Sequence, residues 1–299
     1  MINLFHAIST IAFLYLSGCS TVNTEGKNTQ GYNLNKADAA FVLPGMLHEI
    51  SGITYLGADY FACIQDENGI IFIYDVKKNK LERQFTFNIN GDYEGIASVG
   101  KIIYVLRSDG TLFEISDHES KSFDPDIFFT NIPSKDNEGL CYDPDGNRLL
   151  IAPKGQTLKG SEYKDKREIY AFDLGTKTIS KDPVFEFDLQ EIKDFALENK
   201  INLPMKEKKK GKKPEPRIDF MTSAIGINPV TKKLFILSSP DHMLFIYNME
   251  GKIEHIEMLN PMIFNNAEGI SFYPNGDMVI TNEGGGKSAS LLRFNYKRK

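Results

Sequence analysis

An all-β, five-bladed β-propeller is the fold this sequence predicts, and three features carry the prediction. The first is a recurring phrase in which Glu or Ser is followed by Gly or Ala and then by Ile or Leu. It reads Ser51-Gly52-Ile53, Glu94-Gly95-Ile96, Glu138-Gly139-Leu140, Ser223-Ala224-Ile225 and Glu268-Gly269-Ile270, at steps of 43, 44, 85 and 45 residues. A self-similar period of about 40–45 residues is the signature of propeller blades. The second is that each repeat holds about four short runs rich in β-branched and aromatic residues. The third is turn chemistry between them, such as Asp143-Pro144-Asp145-Gly146-Asn147 and Tyr273-Pro274-Asn275-Gly276-Asp277. There Pro fixes φ and Gly tolerates positive φ.

Taken in order, residues 1–18 read as a lipoprotein signal peptide. Leu4 to Leu16 is mostly apolar and too short for a comfortable membrane span. It ends in Leu16-Ser17-Gly18-Cys19, which resembles the bacterial lipobox, and this implies a lipid anchor on Cys19. No Lys or Arg precedes the apolar run, and cleavage without lipidation is the alternative. Ser20 follows Cys19, so the aspartate that marks inner-membrane retention is missing and the outer membrane is expected. Residues 19–36 read as a flexible tether, and residues 37–299 as the propeller domain.

The first repeat offers strands at Gly52–Tyr55, Tyr60–Gln65, Ile70–Asp75 and Glu82–Phe87. The second offers Gly95–Val99, Ile102–Arg107, Thr111–Ile115 and Ile127–Thr130. The third offers Gly139–Asp143, Arg148–Pro153, Glu168–Asp173 and Val184–Asp188. The fourth offers Ala224–Asn228, Lys233–Ser238, Met243–Asn248 and Ile253–Met258. The last has only Gly269–Tyr273, Asp277–Asn282 and Leu291–Tyr296, so Ala39–Leu43 is expected to supply its fourth strand and close the ring. Closure removes the exposed edges of an open sheet.

The 85-residue step leaves a six-bladed ring as the alternative. Yet the third repeat has used four strands by Asp188, and the insertion at about 189–220 is not strand-like. Asp188 and Glu191 fit a helix capping box, and Ile192, Phe195 and Ala196 share one helical face. The run Lys206–Lys213 after them is a basic loop, either solvated or suited to an anionic lipid surface.

Composition narrows the function. The net charge of −5 argues against nucleic acid as partner. Cys63 and Cys141 lie in apolar runs of different repeats and read as buried thiols, with a disulfide left open in an exported chain. No hydrolase elbow, zinc-protease motif or phosphate loop occurs. His48 and His242 are the histidines expected near the rim, as possible bases.

In a propeller the innermost strand of each blade lines the axis, and the phrase starts that strand. Side chains at i and i+2 of a strand point the same way. Two tiers follow: Ser51, Glu94, Glu138, Ser223 and Glu268, then Glu49, Asp92, Asp136, Met221 and Asn266. Second-strand ends return Asp66, Arg107, Lys154 and Glu283 to the same rim. Carboxylates converging on an axis must be protonated, paired or bound to a cation. Oxygen donors without a Cys or His cluster favour Ca²⁺. The expected metal residues are Glu94, Glu138, Glu268, Glu49, Asp92, Asp136, Asp66 and Glu283, with internal pairing to Lys154 and Arg107 as the competitor.

The phrases Leu47-His48-Glu49-Ile50-Ser51-Gly52-Ile53, Gln65-Asp66-Glu67-Asn68-Gly69, Gly91-Asp92-Tyr93-Glu94-Gly95-Ile96, Asn137-Glu138-Gly139-Leu140 and Ala267-Glu268-Gly269-Ile270 resemble the SdiA-regulated propeller family over roughly residues 40–296. These are exported bacterial proteins, distantly similar to NHL-repeat propellers. The resemblance implies a five-bladed propeller with a calcium site; the insertion and Ala224 depart from the pattern and could reshape or cover the channel mouth. The expected function is a membrane-anchored, calcium-binding module for a small-molecule or protein ligand. A Ca²⁺-dependent hydrolase, similar to lactonase, esterase or phytase propellers, is the alternative.

Overall fold

The computed structural model describes residues 29–116, 124–206 and 214–298. Among them are five antiparallel sheets arranged as blades. Blade I holds Ile50–Gly57, Tyr60–Gln65, Ile70–Asp75 and Lys80–Thr86; blade II holds Tyr93–Val99, Ile102–Arg107, Thr111–Ile115 and Asp126–Phe129. Blade III holds Asn137–Asp143, Arg148–Pro153 and Lys166–Asp173, and blade IV holds Ala224–Ile227, Leu234–Ser238, Met243–Tyr247 and Ile253–Met258. In blade III the outermost position is split, because Thr178–Ile179 and Phe185–Asp188 each pair with part of Lys166–Asp173.

The ring closes as the sequence predicts. Blade V holds Ala267–Phe272, Met278–Asn282 and Ser290–Phe294, and Ala39–Val42 pairs antiparallel onto Ser290–Phe294. The last blade is thus one sheet built from both ends of the domain, and the chain runs on from it into blade I.

The sixth blade is absent among the described residues. The insertion instead forms the helix Leu189–Glu198 and a two-stranded ribbon, Met205–Lys206 with Glu215–Pro216. Asp188 caps the helix, accepting from Gln190 N at 2.7 Å. Ile192 and Ala196 are buried, as their spacing requires, and Leu189 joins them. The helix packs on the outermost strands of blades III and IV, so it flanks the propeller and does not cover the axis.

The core is divided among the five interfaces between neighbouring blades, with one apolar cluster in each. Aromatic rings do the filling that Trp often does elsewhere, in edge-to-face pairs such as Phe87 with Phe113 and Phe220 with Phe245. Cys63 and Cys141 are buried and free.

The expectations for the signal peptide, Cys19 and residues 20–28 lie outside the described residues, as does most of the Lys206–Lys213 run. From Thr29 onward the segment read as tether is packed instead. Tyr32 and Leu34 are buried in the cluster between blades IV and V. The Tyr32 hydroxyl donates to Gly276 O at 2.5 Å and accepts from Asn228 Nδ2. Gly31 sits at φ +101° against the Tyr296 ring, where a side chain would clash.

Tyr32 therefore latches the entering chain to two blades. Tyr32→Phe leaves the Asn228 amide and the Gly276 carbonyl without that hydroxyl and is expected to cost about 1–2 kcal/mol. Removal of residues 29–43 exposes the blade V edge and is expected to abolish cooperative folding. Urea denaturation followed by circular dichroism measures both, and a truncated chain of wild-type stability would exclude the closure role.

Candidate acidic channel mouth

The recurring phrase is a β-bulge. In blades I, II, III and V the register with the second strand shifts at Ser51, Glu94, Glu138 and Glu268. In blade IV, Ser223 N bonds Leu237 O at 2.9 Å while Ala224 also lies opposite Leu237. A bulge inserts one residue and re-aims its side chain. Here it directs the first residue of the phrase towards the axis.

The residue after the bulge sets how closely the strands approach. A Cβ on Gly95 would lie 2.6 Å from Leu140 Cβ of the next blade. The third residue of the phrase then fills the axis itself. Ile53, Ile96, Leu140, Ile225 and Ile270 are all buried and form an aliphatic ring beneath the glutamates. The narrow cavity between glutamates and ring has room for about one water. The channel is thus plugged just below its acidic mouth, which the sequence reading did not anticipate, although the signal was the Ile or Leu of the phrase itself.

The two serines of the inner tier tie strands together. Ser51 Oγ donates to Tyr93 O at 2.6 Å, and Ser223 Oγ donates to Ala267 O at 2.7 Å. Each acceptor immediately precedes a glutamate, so the serines fix the backbone that presents Glu94 and Glu268.

Glu94, Glu138 and Glu268 line the cavity together. Burial raises the Glu94 carboxyl to about 9, helped by the charges of Glu138 and Asp92 and by the hydrogen bond that protonated Glu94 donates to Asp92. Burial raises Glu268 to about 8, with Glu138 and Glu283 adding to it. Glu138 is pushed up to about 7, again first by burial, while its bond to Lys154 pulls the other way. Lys154 Nζ lies 2.6 Å from Glu138 Oε1 and 3.9 Å from Asp136 Oδ2.

The outer tier divides. Asp92 and Asp136 are exposed, yet each hydrogen-bonds the inner glutamate two residues on. Glu49 and Glu283 form a pair from blades I and V: burial and Glu49 raise Glu283 to about 7, while hydrogen bonds from Glu283 and His48 lower Glu49. Asp66 is half-buried and raised by burial and by the charges of Glu49, Glu67 and Asp92; its Oδ1 is buried without a hydrogen-bond partner. Asn266, bonded to Glu283 and to Ser239 Oγ (2.6 Å), completes this side.

Arg107 does not serve the mouth. Its guanidinium is held by Asp109 at 2.7 Å and by Thr111. Neither histidine stands as an unengaged base: His48 Nδ1 is 2.7 Å from Glu49 and His242 Nδ1 is 3.1 Å from Phe264 O. Among the described residues no three His, Cys, Asp or Glu side chains are gathered in the geometry of a metal site. The carboxylates are spread around the ring and joined in pairs, and a cation would have to draw them together.

No family model matches the sequence, and no curated protein matches it. Among solved structures the chain is similar to the Myxococcus xanthus glutaminyl cyclase, at 12% identity and TM-score 0.56 over 87% of this chain and 95% of that one. It also aligns with a luciferin-regenerating enzyme at 9% identity and TM-score 0.48, over 86% of this chain and 95% of that one. At 12% identity the likeness to the glutaminyl cyclase is one of fold alone.

Four carboxyls above the ordinary 4.5 mean that the folded chain holds protons the unfolded chain has already released. Their contribution is fully present below about pH 4.5 and is lost as the pH rises through 7 to 9. Melting temperature in chelator is therefore expected to fall by several degrees between pH 5 and pH 9. The Glu94→Gln, Glu268→Gln double variant should flatten that slope and melt above wild type at pH 9. A wild-type profile that is flat or rises across this window would contradict the assignment.

Proposed function

We propose that this chain is a lipid-anchored β-propeller of the bacterial cell envelope, a binding module whose acidic channel mouth takes up Ca²⁺ and presents it to a small-molecule or protein ligand. The observation that carries the reading is the crowd of carboxyls at the mouth. Three pairs, Asp92 with Glu94, Asp136 with Glu138 and Glu49 with Glu283, are held by hydrogen bonds between carboxyls. A carboxyl pair joined in this way needs a shared proton, and a hard cation replaces such protons by binding the same oxygens.

The donor set fits that ion by its chemistry. It consists of oxygens from Glu94, Glu138, Glu268, Glu49, Asp92, Asp66 and Glu283, with the exposed Asp136 beside them next to Lys154 and without a Cys or His cluster. The partnerless Asp66 Oδ1 is a buried acceptor that a cation would satisfy. When bound, Ca²⁺ supplies a fixed positive centre for a ligand's oxygen atoms. The protein's own part is to hold the carboxylates on bulged, closely packed strands and to exclude solvent from below with the aliphatic ring.

Binding is favoured over hydrolysis for two reasons. Among the described residues neither rim histidine is hydrogen-bonded to a Ser, Thr or Cys side chain that it could activate as a nucleophile. The cavity below the mouth is too small for the reacting part of a substrate. The SdiA-regulated motifs and the lipobox-like Leu16–Cys19 support an envelope location, with the outer membrane as the site of anchorage.

Titration with Ca²⁺ after exhaustive chelation tests the reading. At about a hundredfold excess over Kd the melting temperature should rise by roughly 5–10 °C. Glu94→Gln and Glu138→Gln should each remove most of that rise. A wild-type melting curve indifferent to both Ca²⁺ and chelator would refute the calcium site.

A further inference from the structure

Among the described residues, Lys154 is the one Lys or Arg in an ion pair with the inner glutamates. Lys154 follows the second strand of blade III, and its backbone is clamped: its N–H donates to Asp136 O at 2.9 Å and its carbonyl accepts from Thr222 N at 2.8 Å. Only the side chain is left to move. Its ammonium bridges a buried carboxylate and an exposed one, since the Glu138 side chain is 4% exposed and that of Asp136 is 56% exposed. Glu94 and Glu268 both feel its charge.

We propose that Lys154 is a built-in competitor for the mouth, an internal counter-ion that a divalent cation must displace from Glu138. The inference rests on the calcium reading above and adds to it the way uptake is regulated. With the ammonium 2.6 Å from Glu138 Oε1, that oxygen is already engaged, and a second cation beside it meets direct repulsion. The exit is short. Asp136 Oδ2, already 3.9 Å away, accepts the ammonium as the side chain swings outward into solvent. Cation binding thus exchanges Lys154 from a buried partner to an exposed one. It leaves no uncompensated charge on Glu138, which is the costly outcome when one member of a buried pair is lost.

Calorimetric Ca²⁺ titration of the full folded domain, as wild type, Lys154→Met and Lys154→Gln, tests this. Both variants should bind Ca²⁺ roughly tenfold more tightly than wild type, or more, because the competing charge is gone. In chelator both should melt below wild type, and Ca²⁺ should close the gap. A second readout follows the exchange directly. Reductive methylation of the wild type, read by mass spectrometry, should label Lys154 faster with Ca²⁺ present than in chelator, while Lys232 on the opposite end of the propeller is unchanged.

The outcomes separate the two ideas. Binding by wild type with equal or weaker binding by both variants overturns the competitor role and leaves the calcium reading standing. Unchanged Lys154 labelling on Ca²⁺ binding overturns the exchange in the same way. No binding by any of the three chains overturns both. Binding by the variants alone supports the competitor role in its strongest form.

Discussion

Everything in this structure depends on how closely five inner strands approach one axis. That approach is set by the two residues that follow each bulge. The small residue lets a strand settle against its neighbour, as Gly95 does against Leu140, and the aliphatic residue closes the space the five strands leave. The same closeness desolvates whatever side chain the bulge aims inward. Burial is the largest cause of the raised carboxyls at Glu94, Glu138 and Glu268 alike. Packing at the axis and acidity at the mouth are therefore one feature seen at two levels.

Charge is then distributed unevenly around the ring. Glu94 and Glu138 stand on adjacent blades with Lys154 beside them, whereas Glu268 stands between the two serine blades and faces the Glu49 and Glu283 pair. The serines explain that unevenness. A hydroxyl at the bulge can donate to the neighbouring backbone carbonyl, as Ser51 and Ser223 do, and a carboxylate cannot. Blades I and IV use the position for cohesion, and blades II, III and V use it for charge.

Much of this was legible in the sequence because period and alternation survive translation into structure. The blade count, the closing strand Ala39–Val42 and the helix capped by Asp188 follow from spacing and turn chemistry. The bulge was not legible, since strict two-residue alternation cannot show an extra residue in one strand, and it changes the role of the phrase. Tyr32 was missed for a different reason. A polar stretch of Ser, Thr, Asn and Gln reads as tether, and one buried aromatic with a satisfied hydroxyl contradicts that composition only once its partners on blades IV and V are known. Arg107 and Lys154 looked equivalent as rim cations, but the nearby Asp109 takes Arg107 and leaves the mouth to Lys154.

The direction of the strands adds a constraint on how the mouth can work. Inner strands begin at the glutamates and end near turns such as Tyr273–Asp277, about 20 Å further along the axis. Tyr32 bonds Gly276 in that turn, so the entering chain reaches the propeller at the end opposite the acidic mouth. With Cys19 lipidated, as proposed, nine residues lie between the anchor and Thr29, a span of at most about 35 Å. Such an anchor would therefore join the propeller at its plugged end, away from the acidic mouth. The cation and the ligand would then arrive from the aqueous side. For an acidic mouth with its own lysine, occupancy would depend on the free divalent cation there rather than on the lipid surface beneath.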